Sequence, residues 1–287
     1  MNIQANNLSF SYGAKPILKI DTVSFEQGKI YGIVGKNGAG KTTFFKTLTN
    51  IITNYTGDVL IDGQNIKDDT AVLSKIGIVL DDMELYKNRT GLFNLRYFGG
   101  LRGIFDEERA FQIARELSIF DNLQEKVSSY SLGMNKKLIL LISLMNDAQI
   151  LIFDEPFRGL DTATVDWFKN YLLQLKKEGR MILISSHVQE DIETLSDKVY
   201  VLENGNFDKK FDLNDRMQVL IYRVEVDLLE EFKQLLTEQE VAFEQQDKLI
   251  VFEMKEEAYK ELFKKAVEKD IEFYQIKKES KFAQFVR

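Results

Sequence analysis

Cysteine is absent from the 287-residue chain. Disulfides and thiolate metal sites are therefore excluded, and nothing points to an oxidising compartment. Long apolar runs are also missing. The longest, Leu138-Ile139-Leu140-Leu141-Ile142, extends only to Met145 across Ser143, far short of the ~20 residues that a membrane-spanning helix needs. The first residues, Met1-Asn2-Ile3-Gln4-Ala5, lack the basic and apolar regions of a signal peptide. Positive charge is in deficit, with 38 basic against 45 acidic residues and a net charge of −7. That disfavours a dedicated nucleic-acid binder, which usually carries a basic face. A cytosolic protein is expected, with any membrane role coming through a partner. Hydrophobic residues make up 44% of the chain, enough for a sizeable core in one large domain or two smaller ones.

What is present is organised around one stretch, Gly35-Lys36-Asn37-Gly38-Ala39-Gly40-Lys41-Thr42-Thr43. It follows the strand-like run Ile30–Val34 and precedes helix-compatible sequence from Thr42 to about Thr49. Strand, glycine loop and helix in that order match the phosphate-binding pattern G-x-x-x-x-G-K-[ST]. Gly35, Gly38 and Gly40 let the backbone press against phosphates. The loop N–H groups, Asn37 and Ala39 to Thr43 included, then converge on the anion at the positive end of the helix. Lys41 would reach the β- and γ-phosphates, and Thr42 would hold Mg²⁺.

Upstream, residues 1 to about 34 read as strands and turns broken at Gly13 and Gly28, with strands at Asn7–Tyr12, Ile17–Ile20, Val23–Phe25 and Ile30–Val34. Tyr12 could stack on an adenine ring or simply pack beside Phe10. Downstream come strands at Val59–Ile61 and Ile76–Leu80, the latter ending in Asp81-Asp82. From Asn88 to Met145 the pattern is mostly helical. A helix over Glu107–Leu117 is capped by Asp106, and a second spans Met134–Met145. The α/β alternation resumes with the buried strand Ile150–Phe153 and Asp154-Glu155. It continues through a helix over Thr164–Glu178, a strand over Met181–Ser185 ending near His187, a helix over Val188–Ser196 and a strand over Lys198–Leu202. Such alternation implies a mainly parallel sheet with ligands at the strand C-terminal ends. The glycine loop, Asp154-Glu155 and His187 all fall at such ends. Residues 206–217 read as a polar linker. The remainder reads strand, helix, strand, strand, helix, strand, the order of a ferredoxin-like split βαβ domain.

The apolar run before Asp154-Glu155 gives those two carboxylates a Walker B character. Asp154 would bind Mg²⁺ and Glu155 would act as general base on the attacking water. Over roughly residues 1–215 the ordered motifs resemble the ATP-binding subunit of ABC transporters. Gly35–Thr43 is similar to Walker A and Ile150–Glu155 to Walker B. Tyr130-Ser131-Leu132-Gly133-Met134 stands in the place of the family's Leu-Ser-Gly-Gly-Gln signature, departing at Leu132 and Met134 but keeping Ser131 and Gly133. Gly159-Leu160-Asp161 resembles the D-loop. His187, the chain's lone histidine, resembles the switch histidine, and Tyr12 the adenine-stacking aromatic. The family's Q-loop glutamine aligns with Asp81, or in the competing register with Asp82, and Asp81 could still supply an oxygen to Mg²⁺.

The resemblance implies a P-loop ABC-type ATPase core over residues 1–215. It comprises a mostly parallel sheet, an antiparallel β subdomain and an inserted helical subdomain at about 88–145, followed by a small C-terminal α+β domain over 216–287. It implies Mg²⁺-dependent ATP hydrolysis with Lys41, Glu155 and His187 catalytic. Each ATP would lie between Walker A of one subunit and Ser131 and Gly133 of a second, with Asp161 linking the two sites. A homodimer is expected, bound to an integral membrane subunit at the cytoplasmic face of the membrane. The Ser131-x-Gly133-Met134 variant and the small C-terminal domain are similar to those of ABC-2-type exporters of drugs, bacteriocins or peptides. The alternatives are an importer ATPase, or a non-transport relative acting on nucleic acid or ribosomes. Those non-transport families typically carry long coiled-coil insertions or two ATPase cores, and neither is found here.

Overall fold

The computed structural model describes residues 1–101, 105–214 and 219–286. The chain divides into two units, Met1–Phe211 with Val286, and Asp212–Phe285. The domain boundary expected between residues 215 and 216 lies outside the described residues.

In the first unit the order is β1 (Asn2–Tyr12), β2 (Lys15–Glu26), β3 (Ile30–Val34), α1 (Lys41–Leu48), β4 (Thr56–Ile61), β5 (Gln64–Asn65) and β6 (Ile76–Val79). There follow α2 (Gly91–Gly100), α3 (Glu107–Glu116), α4 (Leu132–Leu144), β7 (Ile150–Phe153), α5 (Thr162–Lys177), β8 (Met181–Ile184), α6 (Gln189–Leu195), β9 (Lys198–Glu203) and β10 (Asn206–Asp212). The strands form two sheets. One is antiparallel, in the order β2-β1-β4-β5. The other runs β10-β9-β3-β8-β7-β6, and β9, β3, β8, β7 and β6 pair in parallel.

β3, β7 and β8 are buried at every position, as strands covered on both faces must be. Phe44, Phe45 and Leu48 of α1 pack with Phe25, Tyr31 and Ile33 in one apolar core that both sheets share. Each such large side chain removed from water contributes roughly 1.5–3 kcal/mol. The order β3-β8-β7-β6 sets four strand C-terminal ends side by side. From them emerge the glycine loop, Ser185 to His187, Asp154-Glu155 and Asp81.

β2 and β10 differ from the sequence reading. The strand expected to break between Ile20 and Val23 runs unbroken as β2, because Thr22 pairs with Asn6 on β1 and its polar side chain stays at the surface. Residues 206–212, expected as linker, form β10, beside β9 at the end of the larger sheet. Only Phe207 of that strand is buried, so an edge strand with a solvated face carries the composition of a loop.

The second unit is β11 (Val219–Val226), α7 (Leu229–Glu238), β12 (Phe243–Gln246), β13 (Leu249–Lys255), α8 (Glu256–Glu268) and β14 (Phe273–Ser280). Its sheet has the order β12-β13-β11-β14, antiparallel throughout. Alternate residues of β11, from Leu220 to Val226, face a separate core with Phe232, Leu235, Phe252 and Leu262.

Candidate functional site

The glycine loop takes its shape from two glycines in particular. A Cβ on Gly35 would stand 2.4 Å from the Leu202 carbonyl oxygen, so no other residue fits against β9. Gly40 caps α1 at φ 106°, in the left-handed region that favours glycine. The loop thus enters α1 with the helix N–H groups open to the cleft, the arrangement that binds anions.

Lys41, buried in the first turn of α1, donates to the Gly35 carbonyl at 2.6 Å, closing the loop on itself. Burial pushes the Lys41 ammonium pKa down, while Glu155 and Asp154 oppose the shift. The next residue, Thr42, donates its hydroxyl to Asp154 Oδ2. The other oxygen of Asp154, Oδ1, accepts from Ser185 Oγ at 2.6 Å, and Ser185 Oγ accepts from the Glu155 N–H at 3.0 Å. Ser185 is therefore the hinge of the acidic pair, and its role was not foreseen from the sequence. The only signal was a small polar residue ending an apolar strand beside His187.

Glu155 holds φ 50°, a conformation that costs a non-glycine residue of order 1–3 kcal/mol and tends to mark functional sites. Its Oε2 accepts from the His187 N–H at 3.2 Å. His187 Nε2 stands 3.2 Å from Oε1, yet Oε1 is buried and has no hydrogen-bond partner. Burial raises the Glu155 carboxyl pKa, opposed by His187 and Lys41. A raised pKa brings a carboxylate closer to what a general base at neutral pH requires. The His187 loop is itself anchored. Ser186 Oγ donates to Asp191 at 2.9 Å, and Asp191 pairs with Lys169 at 2.6 Å.

Lys41, Thr42, Asp154, Glu155 and His187 line one open cleft of about 420 Å³, together with the rest of the loop from Asn37 to Thr43, Lys15, Ile17, Asp81 and Arg158. The donor set tests well for a hard divalent cation. A hydroxyl and a carboxylate meet at Thr42 and Asp154, and among the described residues no cluster of three His, Cys, Asp or Glu forms an all-protein metal cage. Mg²⁺ is usually held in this way, by one or two carboxylates plus substrate phosphates.

The two competing aspartates are separated. Asp81 lines the cleft, while Asp82 points to Lys46 of α1 at 2.5 Å. Both oxygens of Asp81 face cations, Lys136 at 3.0 Å and Arg158 at 3.2 Å.

Other sequence-derived candidates fall elsewhere. Ser131 and Gly133 do not line the cleft that holds Lys41. Helix α4 starts at Leu132, two residues before the expected Met134, because Ser131 Oγ caps it by accepting from the Met134 N–H at 3.2 Å. Gly133 is thus inside the first turn. Asp161 caps α5, accepting from the Thr164 N–H at 2.9 Å, and pairs with Lys137 of α4 at 2.9 Å. The Lys137 ammonium and the Thr164 bonds hold its carboxyl well below the usual range. Tyr12 makes an edge-on contact with Phe10 at 4.7 Å and remains 56% exposed, outside the lining of the cleft.

The profile of the ABC transporter family matches residues 18–158. An uncharacterized ABC transporter ATP-binding protein of Methanocaldococcus jannaschii is 35% identical, over 77% of this chain and 82% of its own length. The lantibiotic transport ATP-binding protein SrtF of Streptococcus pyogenes is 30% identical, over 76% of this chain and 95% of its own. Among solved structures, an ATP-binding subunit of an ABC transporter superposes with a TM-score of 0.70 at 25% identity, covering 75% of this chain and 92% of that one.

Proposed function

The chain belongs to the ABC transporter ATP-binding family, and we propose that it hydrolyses Mg²⁺-ATP at a site completed by a second copy, powering export through a separate membrane-spanning subunit. The observation that carries this reading is the convergence of Lys41, the Thr42–Asp154 pair and the Glu155–His187 pair on one cleft at adjacent strand ends.

In this reading the loop N–H groups and the α1 N-terminus bind the phosphates. Lys41 leaves the Gly35 carbonyl for them. Thr42 and Asp154 hold Mg²⁺, which offsets phosphate charge when bound. Asp81 is left out of that set because both its oxygens are paired. The Glu155 carboxylate, held beside His187, takes the proton of the attacking water. His187 orients that carboxylate and faces the terminal phosphate. Tyr12 offers its exposed ring to adenine. Purified chain should hydrolyse ATP with Mg²⁺, and EDTA should abolish turnover, with excess Mg²⁺ restoring it. Hydrolysis undiminished in EDTA would contradict the metal role.

A second copy is invoked because Ser131 and Gly133 lie outside the cleft of their own chain, on the N-terminal turn of α4. That turn presents N–H groups and a positive dipole end, suited to a γ-phosphate held by another subunit. The partner that spans the membrane is inferred because no helix among the described residues is long and apolar enough to do so. Export is favoured over import by relatives whose names specify lantibiotic and bacitracin transport and linearmycin resistance. With them goes a place for the chain at the cytoplasmic face of the membrane.

We assign the second unit a ferredoxin-like topology and an accessory role. Support comes from its strand order β12-β13-β11-β14 with helices between and from its own core. Chain ending at Asn214 should retain nucleotide binding and basal hydrolysis, with altered dimerisation or partner stimulation. Loss of nucleotide binding would contradict a separate accessory unit.

A further inference from the structure

Arg158 lies in the turn that follows the acidic pair, its backbone N–H donating to the Glu155 carbonyl at 3.3 Å. Its side chain lines the same cleft as Lys41 and Glu155 and is 73% exposed. One donor, Nη1, meets Asp81 Oδ2 at 3.2 Å. Asp81 in turn is anchored through Oδ1 to Lys136, a nearly buried lysine of α4, at 3.0 Å. A guanidinium presents five N–H donors in a rigid fork matched to phosphate oxygens, so one bond to Asp81 leaves most of the fork available.

The charge balance of the cleft gives that fork a purpose. Lys15, Lys41 and Arg158 face Asp81, Asp154 and Glu155, so the lining holds no cationic surplus to meet a polyphosphate. Lys41 is buried and bonded to the Gly35 carbonyl. Arg158 is a largely exposed cation of the lining, three residues along the chain from Glu155.

We propose that Arg158 is a phosphate-binding residue that contacts the terminal phosphate of ATP in the cleft of its own chain, with Asp81 and Lys136 as positioning residues that hold it there. Asp81 thus orients a cation. This inference rests on the cleft being the nucleotide site.

The test is titration calorimetry of the full chain with the slowly hydrolysed ATPγS and with ADP. Arg158→Gln and Arg158→Met should each weaken ATPγS binding about tenfold, the scale of one solvent-exposed charge-assisted contact. ADP binding should be unchanged, and Arg158→Lys should recover part of the loss. Equal loss for both nucleotides, or no loss selective for the triphosphate, would overturn the proposal. Lys41→Ala separates the two readings. It should lose both nucleotides, and a wild-type chain that binds neither would refute the nucleotide site itself.

Discussion

Glu155→Gln should lower ATP turnover by about 10²–10⁴-fold, the range that a positioned general base supplies, while ATP remains bound. The substitution is nearly isosteric. A glutamine carbonyl can still accept the His187 N–H bond that Glu155 Oε2 accepts at 3.2 Å, so the loop keeps its geometry. What disappears is a basic oxygen. Burial raises the carboxyl pKa, and a raised pKa suits a carboxylate to receive a proton near neutral pH. Single-turnover hydrolysis with pre-bound ATP measures the chemical step directly. A wild-type rate would assign the base elsewhere.

The second large effect is complementation between two inactive chains. Lys41→Ala removes the lysine that closes the glycine loop through Gly35, and nucleotide binding should be lost. Ser131→Arg removes the cap of α4 and places a bulky side chain where a facing phosphate would dock. Each chain alone should be inactive. A one-to-one mixture should recover up to about a quarter of wild-type activity, because half the random dimers are mixed and each holds one intact site of two. A Ser131→Arg chain with full activity by itself would contradict the shared site.

Much of this was legible in the sequence, and the legible parts share a cause. The glycine loop, Asp154-Glu155 and His187 are local strings at ends of buried strands. Strand burial leaves unmistakable apolar runs, so placing the strands placed the residues that end them. The second helix expected after residue 217 was equally plain, and it forms as α8 (Glu256–Glu268). What sequence reading missed was set by contacts distant in the chain. Ser185 joins Asp154 across 31 positions, and Lys136 reaches Asp81 across 55. Nothing in either local string announces its partner. α4 starts before the expected Met134 because one side-chain bond from Ser131 suffices to begin the helix, and that bond takes Gly133 into its first turn. β10 escaped notice because a strand at the sheet's edge needs few apolar residues, and Phe207 is its one buried side chain.

The shared nucleotide site is tested most directly by the light-scattering mass of the Glu155→Gln chain in solution. With Mg²⁺-ATP the expected mass is that of two chains, falling to one with ADP, because only a triphosphate held at Lys41 can reach Ser131 of a second copy. A mass of one chain with ATP bound to every molecule would contradict it.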